Sequence, residues 1–304
     1  MRTYRFTQVD VFAERPLSGN PLAVFPDAEG LSNEEMQAVA GEMNLSETTF
    51  VTAPEHGGHA RVRIFTPVSE LPFAGHPSVG TACELVRLGL VPAAGPSTPV
   101  VLELGVGPTT VDVEVRGGLP VAAAVHQGAP RVVREVPPAA AAKVLGLSLD
   151  DVGATAAATG APVRLGPAVV GTGLEYAVIP VADTGALARV RLATDGLPAF
   201  ERDFGEPYPF AFTGDHDPWV EARGLFPLQG IPEDPATGSA AGPLAAHLAL
   251  AGLLTPGEIR VVLQGRHIGR PSRLAVSVAG EHPRFTDVVV GGGVVPVIEG
   301  ELRL

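Results

Sequence analysis

Two short segments of this 304-residue chain carry the same chemical frame. Gly75-His76-Pro77-Ser78-Val79-Gly80-Thr81-Ala82 and Glu233-Asp234-Pro235-Ala236-Thr237-Gly238-Ser239-Ala240 both read (His/Asp)-Pro-x-x-Gly-(Thr/Ser)-Ala. They lie 158 residues apart, about half the chain, which points to an internal duplication. Each frame follows a strand and opens a helix. Proline there removes an N–H that would lack a partner anyway, and glycine lets a ligand approach the backbone. The remaining free N–H groups and the helix dipole form a local anion site suited to a carboxylate. Asp234 alone reads as an N-cap. Histidine is not a favoured N-cap, so His76 at the equivalent place argues for chemistry, and the pair is taken as functional. Ser239 falls in the first helical turn. Glu47, in Asn44-Leu45-Ser46-Glu47-Thr48-Thr49-Phe50-Val51, stands between a helix and a strand among apolar positions. Desolvation there would raise its pKa and suit it to proton transfer. The alternative is a loop carboxylate accepting hydrogen bonds from Thr48 or Thr49.

Other candidates carry less. His56 and His59 share a loop, and Asp215-His216-Asp217 sits in a turn before Trp219, but neither has metal-ligand spacing, so solvated loops are expected and no metal. The single cysteine, Cys83, reads as a small core residue on a helix. One thiol excludes a disulfide framework and any mechanism needing two.

These residues must be held by short elements, because glycine (37) and proline (30) make up about a fifth of the chain. Residues 3–12, 22–25, 48–52, 61–65, 99–104 and 109–115 read as strands. Ser32 and Glu35 make a capping box for a helix whose apolar face is Met36, Val39, Ala40 and Met43. A second helix is expected from Pro77 to Leu88 with Val79, Ala82, Cys83 and Val86 as its buried stripe, and a third from Pro138 to Leu145, stopped by Gly146. Further strands follow at 174–181, 208–213 and 219–226. The helical segment after Asp234 contains Pro243, so that helix begins late or bends. The tail returns to strand at 259–264, 273–278 and 287–298, where Gly291-Gly292-Gly293 marks a bend or bulge. Strands followed by one long helix, twice over, give an α+β fold of two similar lobes. The expected division is 1–118 for the N-terminal lobe, with Arg116-Gly117-Gly118 as the boundary, and 119–287 for the C-terminal lobe, with 288–304 returning to the first. No dinucleotide or phosphate loop is present.

A net charge of −12 disfavours nucleic acid, and no apolar run is long enough for a membrane span. The N-terminus lacks a signal-peptide core and reads at once as a strand, so a soluble, cytoplasmic protein is expected.

At these motifs the sequence resembles the phenazine-biosynthesis PhzF-like isomerase/epimerase family, which has the diaminopimelate-epimerase-like fold. The resemblance runs nearly end to end. It includes Ser18 to Phe25, Asn44 to Thr48, Arg63 to Pro67, Glu70 to Pro77, Glu233 to Ala240 and Gly269 to Ser272. It implies two lobes, each a curled, mostly antiparallel sheet around a central helix, with the active site in the cleft between them. It also implies a cofactor-independent, metal-free enzyme that is commonly a homodimer. Matched motif by motif, the family's acid–base glutamate falls on Glu47, its histidine on His76, its aspartate on Asp234 and its serine on Ser239. Asn20, Gly75 and Gly238 match positions that line the substrate pocket. The implied reaction is proton movement within a small unsaturated carboxylic acid, as in trans-2,3-dihydro-3-hydroxyanthranilate isomerisation. Glu47 would carry the proton, His76 and Asp234 would orient the substrate, and Ser239 would hold developing charge. An amino-acid epimerase or racemase, or a binding protein that kept the pocket without the chemistry, are the alternative readings.

Overall fold

The computed structural model describes residues 1–156, 162–213 and 219–304. The chain divides into two units, residues 1–126 with 291–304, and residues 127–290.

In the first unit, β1 (Thr3–Val11), β2 (Asn20–Phe25), α1 (Asn33–Met43), β3 (Glu47–Thr52), β4 (Ala60–Phe65), β5 (Glu70–Leu71), α2 (Gly75–Arg87), β6 (Ser97–Leu104), β7 (Gly107–Arg116) and β8 (Leu119–His126) follow in order. β2 pairs antiparallel with β1 and parallel with β3, β4 runs antiparallel to β3 and parallel to β6, and β6, β7 and β8 form an antiparallel meander. The final strand returns to lie beside both β8 and β1, pairing Thr3 with Arg303, so the sheet closes around α2. α1 covers the outside. Its Ser32–Glu35 capping box forms as the sequence requires, and Met36, Val39 and Ala40 pack on the stacked rings of Phe25 and Phe50.

α2 is more deeply placed than a one-sided stripe predicts. Every residue from Gly75 to Val86 is buried, because the helix touches β1, β2, β3, β6, β7 and β8. Only small residues fit there. A Cβ at Gly80 would stand 2.7 Å from methyl carbons of both Leu22 and Val11, so this glycine serves helix–sheet packing and not ligand approach.

The second unit repeats the plan. It contains β9 (Arg131–Glu135), α3 (Pro138–Leu145), β10 (Ala154–Ala156), β11 (Val163–Leu165), β12 (Ala168–Gly171), β13 (Glu175–Pro180), α4 (Thr184–Arg189), α5 (Leu197–Phe204), β14 (Glu206–Phe212), β15 (Trp219–Ala222), β16 (Gly224–Phe226), β17 (Ile231–Asp234), α6 (Gly238–Leu250), β18 (Arg260–Gln264) and β19 (Ser272–Glu281). β20 (Arg284–Arg303) begins in this unit and ends in the first. From β12 to β19 the neighbours run antiparallel, parallel, antiparallel, parallel, antiparallel, the same succession as from β1 to β7. α6 packs on β12, β13 and β19, while α3, α4 and α5 bury Leu145, Leu187, Leu197 and Phe200 against the outer face. The α+β class and the duplication expected from the frames are both seen in this matching order.

Several sequence expectations change. Gly117 and Gly118, at φ 59° and 83°, make the turn of the β7–β8 hairpin inside the first unit, so the division falls after His126 and not at 118, and the returning tail starts at 291. Residues 219–226 form two short strands broken at Arg223. α4, capped by Asp183, and α5, with Pro198 in its first turn, lie between strands where the sequence patterns identify no element. Gly291 marks a close strand approach, since a Cβ there would lie 2.6 Å from the Ala124 Cβ.

Candidate active site

In the first unit the start of α2 gathers His76, Glu47 and Asn20. Glu47 is the first residue of β3, in register with Leu22 on β2, and its Oε2 lies 3.4 Å from His76 Nε2. The His76 side chain is 5% exposed and that of Glu47 12%. The fully buried Asn20, at the start of β2, places its Nδ2 3.4 Å from His76 Nδ1. An amide nitrogen only donates, so Nδ1 accepts and the ring proton sits on Nε2, the nitrogen on the Glu47 side of the ring. Burial pushes the imidazole down to about 3, so the ring is neutral across the physiological range. The neutral imidazole brings Nε2 close to the Glu47 carboxylate without making a hydrogen bond to it, and it does not compete with the carboxylate for a proton. The Thr49 hydroxyl, a sequence candidate for holding Glu47, instead bonds Thr81 Oγ1 on α2 at 2.9 Å. Ala74 is the N-cap of α2 and makes no side-chain cap; Gly75 and His76 are its first two residues.

The second unit holds Asp234, Gly238 and Ser239. Asp234 is not an N-cap. It ends β17, and the helix starts four residues later at Gly238 with Thr237 as its N-cap. The cause is the buried Gln264, whose Nε2 donates to the Asp234 carbonyl and to Thr237 Oγ1, both at 2.9 Å, while its Oε1 accepts from the Thr237 N–H at 3.1 Å. This clamp holds residues 234–237 off the helix, and Pro243 has no N–H to offer the Ser239 carbonyl one turn back. The Thr237 hydroxyl donates to Asp234 Oδ2 at 2.6 Å, so it is spent there and does not cap the helix. Gln127 Nε2 donates to the Gly238 carbonyl at 2.9 Å. Ser239 Oγ lies 2.8 Å from the hydroxyl of Tyr176 on β13. The two frames therefore differ in detail, with His76 inside its helix and Asp234 ahead of its own.

Tyr176 and Gln264 were not candidates from sequence; each acts through a partner more than 25 residues away, which no local pattern displays. Among the described residues no group of three or more His, Cys, Asp or Glu side chains is placed to hold a metal ion. His59 accepts from the Val101 N–H, and His56 faces Glu103. The Asp215-His216-Asp217 cluster lies outside the described residues. Cys83 is buried within α2, and burial pushes its thiol up, away from thiolate chemistry. No described helix is long and apolar enough to cross a membrane.

A repeated sheet-and-helix unit is shared with known enzymes. A solved structure from Pseudomonas aeruginosa described as a predicted epimerase superposes with a TM-score of 0.81 at 36% identity, covering 99% of each chain. A probable proline racemase of Agrobacterium radiobacter shares the fold at a TM-score of 0.65 and 14% identity, over 99% of this chain and 93% of its own. In sequence, the trans-2,3-dihydro-3-hydroxyanthranilate isomerase of Pseudomonas aeruginosa is 40% identical over 304 residues, covering 99% of this chain and all of the relative. Fold and relatives together define an enzyme of the isomerase class. The phenazine biosynthesis-like protein family, PhzC-PhzF, matches residues 9–300, and the chain belongs to it.

Proposed function

We propose that this isomerase moves a proton within a small unsaturated carboxylic acid, with Glu47 as the acid–base group. The observation that carries the reading is the Asn20–His76–Glu47 chain of contacts. It presents a buried carboxylate beside a neutral imidazole in a nearly dry setting, where a C–H proton can be taken and returned. Glu47 accepts the proton from an acidified carbon, the electron pair spreads into the conjugated system, and Glu47 gives the proton back at another carbon. Nothing is gained or lost overall. Asp234 and Ser239 hydrogen-bond the substrate, and free backbone N–H groups at the start of α6, those of Gly238 and Ser239, favour a carboxylate. The single cysteine leaves a two-thiol transfer without its groups. The proposal includes a cofactor-independent reaction in a cytoplasmic homodimer; turnover after exhaustive chelation and native mass spectrometry test the first and last.

The main experiment incubates trans-2,3-dihydro-3-hydroxyanthranilate, the compound in the 40%-identical relative's name, with the enzyme in D₂O. Conversion with deuterium entering the ring is expected, and Glu47→Gln lowers turnover at least about a hundredfold, the usual contribution of a general base. A loss below about tenfold removes Glu47 from the role. Inversion at one carbon is the second reading, favoured by the 36%-identical structure described as an epimerase; chiral analysis of the product separates the two.

A further inference from the structure

The duplication carries more than the two helix starts. In the first unit, β3 opens on Glu47, paired in parallel register with Leu22 of β2. In the second, β14 opens on Glu206, paired in parallel register with Tyr176 of β13. Each glutamate follows the outer helical segment and begins the strand that enters the sheet at the same step of the strand order. Glu206 therefore occupies the place of Glu47 in the second repeat, 159 residues on, one more than the spacing of the helix frames.

Its surroundings differ. The cross-strand neighbour in the first unit is an aliphatic side chain, and in the second it is a phenol whose hydroxyl hydrogen-bonds the Glu206 carboxyl. The same hydroxyl lies 2.8 Å from Ser239 Oγ. Tyr176 is buried and its ring meets Tyr208 and Phe226 edge-on at 6.3 and 6.2 Å, so it cannot swing away from either partner. The Tyr208 hydroxyl is taken by Gln264. Three groups thus stand in a line: Glu206, Tyr176, Ser239.

We propose that Glu206 is a positioning residue that acts through Tyr176 to set whether Ser239 donates or accepts a hydrogen bond at the start of α6. The proposal rests on the reading above that Ser239 meets the substrate. Each hydroxyl has one proton, so the direction of one bond decides the next. When Glu206 is protonated, it donates to the Tyr176 oxygen, Tyr176 donates to Ser239 Oγ, and the Ser239 proton turns outward to an anion. When Glu206 is ionised, Tyr176 donates to the carboxylate, Ser239 donates to Tyr176, and only lone pairs face outward. A carboxylate substrate is held in the first state and repelled in the second.

The switch falls in a useful range. Burial, reinforced by the like charges of Glu201 and Asp234 and opposed by the Tyr176 bond, raises the Glu206 carboxyl to about 7. Glu201 comes from α5 and Asp234 from β17. The other charged groups on elements packed against β14 are engaged elsewhere: Arg189 with Asp151, Arg202 with Asp203, Glu221 with Arg266, and Glu175 with Arg131.

The test is kcat/KM against pH for the wild type, Glu206→Gln and Tyr176→Phe, together with an infrared titration of the protonated carboxyl band in the same proteins. In the wild type kcat/KM is expected to fall about tenfold, through KM, across a midpoint near 7, as one charge-assisted hydrogen bond is lost. In Glu206→Gln the amide keeps donating to Tyr176, and that limb flattens. In Tyr176→Phe the connection is cut, and the limb disappears with KM raised throughout. A limb of unchanged size in both variants overturns the proposal. The infrared arm needs no turnover, so it stands if the substrate reading fails. A carboxylic-acid band that titrates near neutrality, is missing in Glu206→Gln and moves in Tyr176→Phe supports the line of three groups. Absence of that band below neutral pH, or no movement in Tyr176→Phe, refutes it.

Discussion

Gly80→Ala separates two uses of one glycine. By sequence alone the glycine of the His76 frame clears space for a ligand; in the fold it clears space for β1 and β2. The added Cβ would lie 2.7 Å from Leu22 Cδ2 and from Val11 Cγ2, and 3.3 Å from Val9 Cγ2. Ordinary contact begins at 3.4 Å, so two methyls must retreat by about 0.7 Å. Leu22, Val11 and Val9 are all completely buried, leaving them nowhere to go without shifting a strand. Overpacking of this kind costs about 1–3 kcal/mol, and replacing glycine by alanine in a helix returns about 1 kcal/mol. The net expectation is a loss of up to about 2 kcal/mol, read as a lower denaturant midpoint with unchanged slope. KM measured on the folded fraction should stay within about twofold, because the methyl points into the sheet. Unchanged or increased stability with a raised KM would refute the packing argument and return Gly80 to the ligand.

Two further outcomes test how the structure handles buried charge. Arg223 binds Glu233 through Nε and Nη2 at 3.0 and 2.7 Å and donates from Nη1 to the Leu187 and Val190 carbonyls. Arg223→Met leaves that carboxylate buried without its cation and should cost about 3–5 kcal/mol, with Glu233→Leu in the same chain restoring much of it; denaturation of the single and double variants decides, and a single-variant cost under about 1 kcal/mol would sink the argument. Glu103 accepts the N–H groups of Glu55, His56 and Gly58, which hold its carboxyl down at about 2 against the burial that would raise it. Its stabilisation is present above the unfolded value of 4.5 and is lost as pH falls through about 2, so Glu103→Gln should flatten the acid limb of stability and speed amide exchange at residues 55–58; equal exchange rates at neutral pH would count against the clamp.

Local chemistry was legible wherever it depends on neighbours in sequence. The Ser32–Glu35 box, the Pro138 start and Gly146 stop of α3, and the strand that begins at Glu47 are all written within a few residues of where they act. Asp234 shows the limit. The run Asp-Pro-Ala-Thr-Gly-Ser offers two N-caps, and the choice between Asp234 and Thr237 is made by Gln264, which lies 30 residues from Asp234. Gly117-Gly118 looks like a linker because β8 is alanine-rich and lacks alternation, so the hairpin it closes is invisible locally. The full burial of α2 was hidden for a similar reason: beyond the stripe of Val79, Ala82, Cys83 and Val86, its glycines, serine and threonine look no different from a solvent face, yet their smallness is what admits the helix to the centre of a closed sheet. Glu206 was within reach, one residue off the repeat spacing, but its meaning depends on Tyr176, which only strand pairing brings alongside.

The twenty-residue β20 also imposes an order in time. Residues 127–290 form their unit from one continuous stretch, whereas the first unit needs residues 291–303 to occupy the gap between β8 and β1. On a ribosome, β1 emerges early, pairs with β2, and waits through the synthesis of nearly three hundred residues for its second partner, β20. The half that is made first is therefore the half that is finished last, and until then two sheet edges and the cavity for α2 stand open to water and to other chains.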